Sequence, residues 1–300
     1  MKQGFWCLVL AGLMLVSLPV VAEDAPAEAE VVGVQPPAWL ERNERRTPLS
    51  PGAKLSTGSV IVTGEDARVR INLPDGSVLR LGEQARFTVV TLDQAAGIEG
   101  RVSSIMRLAR GVFRYTTGLL ERETARDISL EVGVYLVGIR GTDVWGRTTE
   151  ADGDLFALID GEAEVRVRGV AEPVFPDPMT FLAREPDTEP APFTRPIDPD
   201  TLAEWAAQTD LQPHEGVMEP EGPWQVVLIS LQDEAAVANM AGALREAGYA
   251  ARVQDARVND MTVYRLMLQG FSSREDAAAV GARLQQRLEL DDIWVRMGES

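Results

Sequence analysis

The chain has 300 residues, long for one domain and suited to two modest ones. It carries 46 acidic residues against 29 lysines and arginines, a net charge of −17 with no basic patch, which excludes nucleic acid as a partner. One cysteine (Cys7), one histidine (His214) and, past the N-terminus, one lysine (Lys54) exclude a disulfide, a cysteine zinc site, a cysteine nucleophile and a multi-histidine metal site.

Taken in chain order, Met1-Lys2, the apolar run from Phe5 to Val21 and the small residue Ala22 read as a secretory signal, residues 1–22, cut before Glu23. Cys7 lies inside it and is not placed for lipid attachment. The alternative is an uncleaved anchor, since the run is nearly long enough to span a bilayer, and only then is the membrane a partner. No later segment is long and apolar enough to cross one. Residues 23–30 form an acidic, alanine-rich tail, expected to be disordered.

Residues 31–183 read as strands separated by turn signals, with almost no helical periodicity. The candidates are Val60–Thr63, Ala67–Leu73, Val78–Leu81, Phe87–Leu92, Val112–Tyr115, Ile128–Val132, Val134–Val137, Val144–Arg147, Leu155–Ile159 and Glu164–Arg168, with Met179–Ala183 as a last one. Asp75-Gly76, Asp152-Gly153 and Asp160-Gly161 are turn pairs. This spacing predicts an all-β N-terminal domain, a sandwich, roll or solenoid of short strands. Only Gly97–Arg110 leaves room for a helical turn or a longer loop. At Arg140-Gly141-Thr142 the structural reading is a glycine at positive φ, and no catalytic residue is assigned in this domain.

Five separated blocks of this region stand in the order of a known family. They are Gly58 to Val69, Leu73 to Gly82, Leu108 to Phe113, Val137 to Thr142 and Ile159 to Val165. Together they resemble the FecR domain. The resemblance implies a β domain in the periplasm. The membrane helix and cytoplasmic anti-sigma region of the name-giving proteins have no counterpart here, so control of a sigma factor is not implied.

Residues 184–221 read as a proline- and acid-rich linker. Residues 171–221 hold ten prolines and twelve acids against Arg184 and Arg195, a net of −10. Arg184–Pro199 is an extended spacer. Asp200 to Trp205 forms a short helix with Leu202 and Trp205 one turn apart; whether it docks on either domain stays open. His214, set among prolines and acids, reads as a solvated histidine rather than the base of a Ser-His-Asp triad. Lys54 enters a strand from a turn and offers little to a Ser-Lys dyad.

Residues 222–298 read as one α+β unit of β-α-β-β-α-β order. The strand from Trp224 to Ile229 leads to a helix whose stripe is Val237, Met240, Leu244 and Ala247, stopped at Gly248. Strands Ala250–Val258 and Thr262–Leu268 meet at an Asn259-Asp260 turn. A second helix opens on the capping box Ser272-Ser273-Arg274-Glu275 and buries Ala277, Val280, Leu284 and Leu288. The last strand is Ile293–Met297. Both crossovers are right-handed, so both helices cover one sheet face and leave the other bare, as in a ferredoxin-like fold. Alternation sends Ile293, Val295 and Met297, and Tyr264, Leu266 and Leu268, toward the helices. It leaves Trp294, Arg296, Arg265 and Met267 on the bare face.

The run Trp224 to Ser230, then Leu244, Gly248-Tyr249, Tyr264 to Leu266, and Gly270-Phe271 ahead of Arg274 to Ala277, resembles a SPOR domain. The resemblance implies binding of peptidoglycan, in particular glycan strands stripped of stem peptides. Ser230, Arg265 and Trp294 keep the family's character. Val227 stands where a glutamine is usual, and Ile229, Leu231 and Met267 also depart from the pattern. Val227, Ile229 and Met267 make the face more apolar than a sugar needs, which leaves a protein ligand open.

In the glycan reading the Trp294 indole stacks on a sugar ring and Ser230 bonds its hydroxyls. Arg265 and Arg296 pair with lactyl carboxylates. The structural alternative packs Trp294 against the linker or the β domain and ties Arg265 into an internal ion pair. The expected function is a non-enzymatic envelope protein, exported to the periplasm, that binds glycan strands. Its β domain would bind an envelope protein or sense a ligand, and no metal or cofactor is called for. A regulatory role in a membrane transport or sigma-factor pathway is the alternative; a two-carboxylate glycan-cleaving enzyme ranks behind both.

Overall fold

A computed structural model describes residues 27–94, 102–118, 126–189 and 193–298. The signal segment and residues 23–26 of the acidic tail lie outside the described residues, as do residues 97–101 of the stretch left between helix and loop. In the N-terminal unit the strands are β1 (Ala29–Gln35), β2 (Ala38–Arg42), β3 (Arg45–Pro48), β4 (Lys54–Leu55), β5 (Val60–Thr63), β6 (Arg68–Asn72) and β7 (Val78–Leu81). They continue with β8 (Arg86–Gln94), β9 (Val102–Thr116), β10 (Arg126–Val132), β11 (Tyr135–Thr149), β12 (Gly153–Val167), β13 (Thr180–Arg184) and β14 (Arg195–Pro196). All join one sheet. β9 organises it, pairing antiparallel with β7, β8 and β11 and parallel with β10. The main core is lined by alternating residues such as Val69 and Ile71, Leu79 and Leu81, and Val137 and Ile139, and a smaller cluster forms around Val112, Trp145 and Leu155.

The strands are longer than the turn signals suggest. Val134–Val137 and Val144–Arg147 belong to the single strand β11; Leu155–Ile159 and Glu164–Arg168 belong to β12; Val112–Tyr115 is the end of β9. Gly111, Gly141 and Gly161 bend these strands at φ of +89°, +64° and +90° without ending them. Asp160-Gly161 is therefore no hairpin turn. The β11–β12 register slips between Arg140 and Asp143, and a Cβ on Gly161 would strike the Gly141 carbonyl. Asp75-Gly76 does turn the chain, with Asp75 Oδ1 accepting from the Ser77 amide at 3.0 Å. Residues 102–110 are strand, not helix: Ser104, Met106 and Leu108 are buried with a period of two.

The short helix expected near Asp200 is α1 (Pro199–Thr209), with Asp198 as its cap accepting from the Thr201 amide at 2.9 Å. It docks on the β unit. Trp205 stacks on Trp145 with centroids 4.7 Å apart, Phe181 meets Trp205 edge-on, and Trp145 Nε1 donates to the Trp205 carbonyl at 3.0 Å.

The C-terminal unit comprises β15 (Trp224–Leu231), α2 (Glu234–Glu246), β16 (Arg252–Val258), β17 (Met261–Phe271), α3 (Arg274–Leu288) and β18 (Trp294–Met297). Its sheet order is β16-β17-β15-β18 with every neighbour antiparallel. Asn259 and Asp260 turn at φ of 48° and 63°, the conformation a tight hairpin requires. Ser273 caps α3, accepting from the Asp276 amide at 3.0 Å. Val226, Leu228, Leu266 and Leu268 pack on Val237, Ala241 and Leu244 of α2 and on Ala277, Val280 and Leu284 of α3, so both helices cover one face. Two residues expected in this core are outside it. Leu288 sits in the last turn of α3, with Leu290 packing on the core after it; Met297 closes the edge strand, 60% exposed. Tyr264 is only half-buried.

Residues 211–219 run between the units and bond to both. Met218 exchanges backbone hydrogen bonds with Val34 of β1 at 2.8 and 3.0 Å and bridges Phe271 of β17. The buried carboxylate of Asp276 accepts from the amides of Gly216 and Val217 at 2.9 Å each, and from the hydroxyls of Ser272 and Ser273. At the other contact Trp39 Nε1 donates to the Glu246 carbonyl at 3.0 Å, and the Ala38 amide to that of Gly248 at 3.1 Å.

Candidate functional site

The face of the C-terminal sheet away from α2 and α3 is built by register. Gln225 of β15 lies between Gln269 of β17 and Arg296 of β18. Val227 lies between Met267 and Trp294, and Arg252 of β16 extends that row. Ser230 faces Arg265, which faces Gln254. The jump from Val227 to Ser230 comes from a bulge. Leu228 and Ile229 together oppose Leu266, and both pack on the helix side. Ile229 therefore does not reach the face, contrary to the alternation read from the sequence.

The sequence-derived residues Ser230, Arg265, Trp294 and Arg296 do share this face. Their environments differ. Trp294 is 37% exposed on the edge strand. Arg296 is half-buried: with the Gln225 amide oxygen turned toward it, Oε1 accepts from Arg296 Nε at 2.6 Å and Nη2 at 3.0 Å. Arg265 is half-buried, and its Nε is covered without a hydrogen-bond partner among the described residues. Ser230 is half-buried opposite it.

Met267 was expected to be exposed, but it is 1% exposed, and Val227 beside it is fully covered. They hold the centre of the face, bordered in register by the longer side chains of Arg252, Arg265 and Trp294. The face thus presents a rim of arginines, amides and an indole around a closed apolar centre.

These rows carry Arg252, Arg265 and Arg296 and no carboxylate, in a chain of net charge −17. Such a surface offers donors to anionic and hydroxyl oxygens and an aromatic edge to an apolar ring. It has no nucleophile beside a base. His214 is exposed on the inter-unit segment at φ 69°, and Lys54 pairs with Glu30 at 2.8 Å on the β unit. Among the described residues no group of three or more His, Cys, Asp or Glu is placed to share a metal ion.

Sequence reasoning missed Gln225. It lies two residues before Val227 and so on the same face by alternation, which was signal enough to find it. Arg252 and Gln254 were missed because the parity of β16 depends on its register with β17.

Comparison with known proteins divides the chain the same way. Residues 59–170 match the family model described as FecR protein, and residues 220–296 match that of the SPOR domain, in that order. Both are non-catalytic, envelope-associated domain families, and the SPOR match implies peptidoglycan binding. None of the curated proteins matches the chain. Among solved structures, two crystal structures of a protein from Parabacteroides distasonis ATCC 8503, provisionally assigned as an anti-sigma factor, overlap it at 13% and 12% identity. They cover 80% of this chain and 99% and 98% of their own, with TM-scores of 0.40 and 0.38. No helix among the described residues is long and apolar enough to cross a membrane.

Proposed function

We propose that this chain, a FecR domain followed by a SPOR domain, is a non-enzymatic protein of the periplasm that binds peptidoglycan glycan strands stripped of their stem peptides. Residues 1–22 direct export and are removed. The C-terminal unit, ferredoxin-like in its strand order, presents the binding face, and the FecR-like unit engages an envelope protein or senses a ligand. The observation that carries the reading is the arginine and tryptophan rim without a carboxylate on the sheet face opposite α2 and α3. Trp294 stacks on a sugar ring, Ser230 bonds a hydroxyl, and Arg265 and Arg296 meet the lactyl carboxylates that amidases expose.

The test is retention of the chain by purified sacculi before and after amidase treatment. Retention should rise with stripping and fall in Trp294→Ala; no retention by either preparation would sink the reading. The FecR match supports a second reading, regulation of a membrane transport or sigma-factor pathway through the β unit. That role needs an anchor or a membrane partner, so the N-terminal sequence of the mature protein separates the two.

A further inference from the structure

One hollow in the described structure is on the β unit, away from the residues of the glycan face. It is a cleft of about 1100 Å³, at the upper end of the range for small-molecule sites. Four arginines far apart in sequence converge on it, Arg68, Arg110, Arg147 and Arg184, from β6, β9, β11 and β13. Two already have carboxylates. Arg184 grips Asp154 through Nε and Nη2 at 2.9 and 2.8 Å, and Arg147 reaches Asp152 at 3.7 Å.

The other two do not. Arg68 donates from Nε and Nη1 to the carbonyls of Ala207 and Asp66 at 3.3 and 3.2 Å, and Arg110 is exposed with no partner among the described residues. Uncompensated negative charge lines the same cleft. Glu150 at the tip of the β11–β12 hairpin and Asp187 beyond β13 are exposed, and neither is paired among the described residues. On β11, Arg147 Nε and Thr148 Oγ1, from two residues that line the cleft, are buried without hydrogen-bond partners among the described residues.

A purely anionic ligand would satisfy Arg68 and Arg110 and be repelled by Glu150 and Asp187; a purely cationic one meets the converse. Only a molecule bearing both signs suits the lining. We infer that this cleft binds a short zwitterionic peptide. Resting on the envelope reading above, that peptide is the peptidoglycan stem, which carries several carboxylates and an ammonium group. Its carboxylates lie toward Arg68 and Arg110, and its ammonium toward Glu150 and Asp187.

The experiment titrates the chain with the stem tetrapeptide alanyl-glutamyl-diaminopimelyl-alanine and with the same peptide amidated at its carboxyl groups, following heat. Saturable binding of the first is expected, weaker by tenfold or more for the second and for Arg110→Ala. Arg110→Ala should still be retained by amidase-stripped sacculi, so the fates of this cleft and of the glycan face are read separately. No saturable heat with the intact peptide, or equal affinity for the amidated peptide or in Arg110→Ala, overturns the inference.

Discussion

Gln225 and Arg296 face each other across β15 and β18, the amide oxygen accepting from guanidinium Nε and Nη2 at 2.6 and 3.0 Å. A guanidinium held in a fixed plane loses less freedom when a carboxylate arrives than one on a free stem. Gln225→Leu and Arg296→Ala are therefore each expected to weaken retention by stripped glycan strands about tenfold, in line with a hydrogen bond to a charged group. The double variant should be no weaker than Arg296→Ala alone, since both changes remove one device. Additive losses in a binding titration would show that Gln225 acts on its own.

The stacking of Trp205 on Trp145 holds α1 to the β unit. Trp205→Ala removes that stack, the edge contact with Phe181 and the packing of a buried indole, and should cost about 3 kcal/mol or more. Urea unfolding measures the loss, and amide exchange across 199–209 should quicken. Unchanged exchange there would mean that the helix is held by its cap and backbone alone.

Gly248 stands at φ +87°, where a Cβ would lie 2.7 Å from the Trp39 ring. Gly248→Val meets both a backbone region that disfavours side chains and a filled contact, and is expected to destabilise by about 2 kcal/mol. Because the clash lies between the two units, limited proteolysis in 211–219 should also accelerate. A variant as resistant as the parent would show that Trp39 yields without loosening the contact.

Asp276 titrates below its ordinary value. Burial opposes its charge most strongly, but the hydroxyl of Ser273, the amides of Val217 and Gly216 and the hydroxyl of Ser272 together outweigh that. A carboxylate with a depressed folded-state pKa contributes stability that is present above its unfolded value and lost as pH falls through the folded one. Asp276→Asn should thus be less stable than the parent at neutral pH, with the gap closing as pH drops below about 4. A gap that stays constant from pH 7 to pH 3 in denaturant titrations would mean the charge contributes nothing.

Much of the C-terminal unit was legible because each element obeyed one period. Val237 and Leu244 fall on a helical stripe, Trp294 and Arg296 alternate with Val295, and Asn259-Asp260 names its own turn. What stayed hidden depended on partners. The bulge that turns Ile229 inward exists only in register with Leu266, and the burial of Met267 follows from its neighbours' lengths. In the β unit, Gly111, Gly141 and Gly161 read as breaks because positive φ ends a strand as readily as it bends one; pairing across the bend decides between them. Leu202 and Trp205 announced a helix but could not name Trp145, 60 residues upstream, as its platform.

The backbone bonds of Val217 to Glu219 have a mechanical meaning. Met218 bonds Val34 of β1 while its neighbours Val217 and Glu219 bond Ser272 and Gly270 at the end of β17, so a pull on the C-terminal sheet is delivered to the β unit through hydrogen bonds as well as along the covalent chain. A protein fastened this way behaves as a bracket rather than a tether: whatever the β unit grips is held at a set angle to whatever the C-terminal sheet grips, and strain in one is felt by the other.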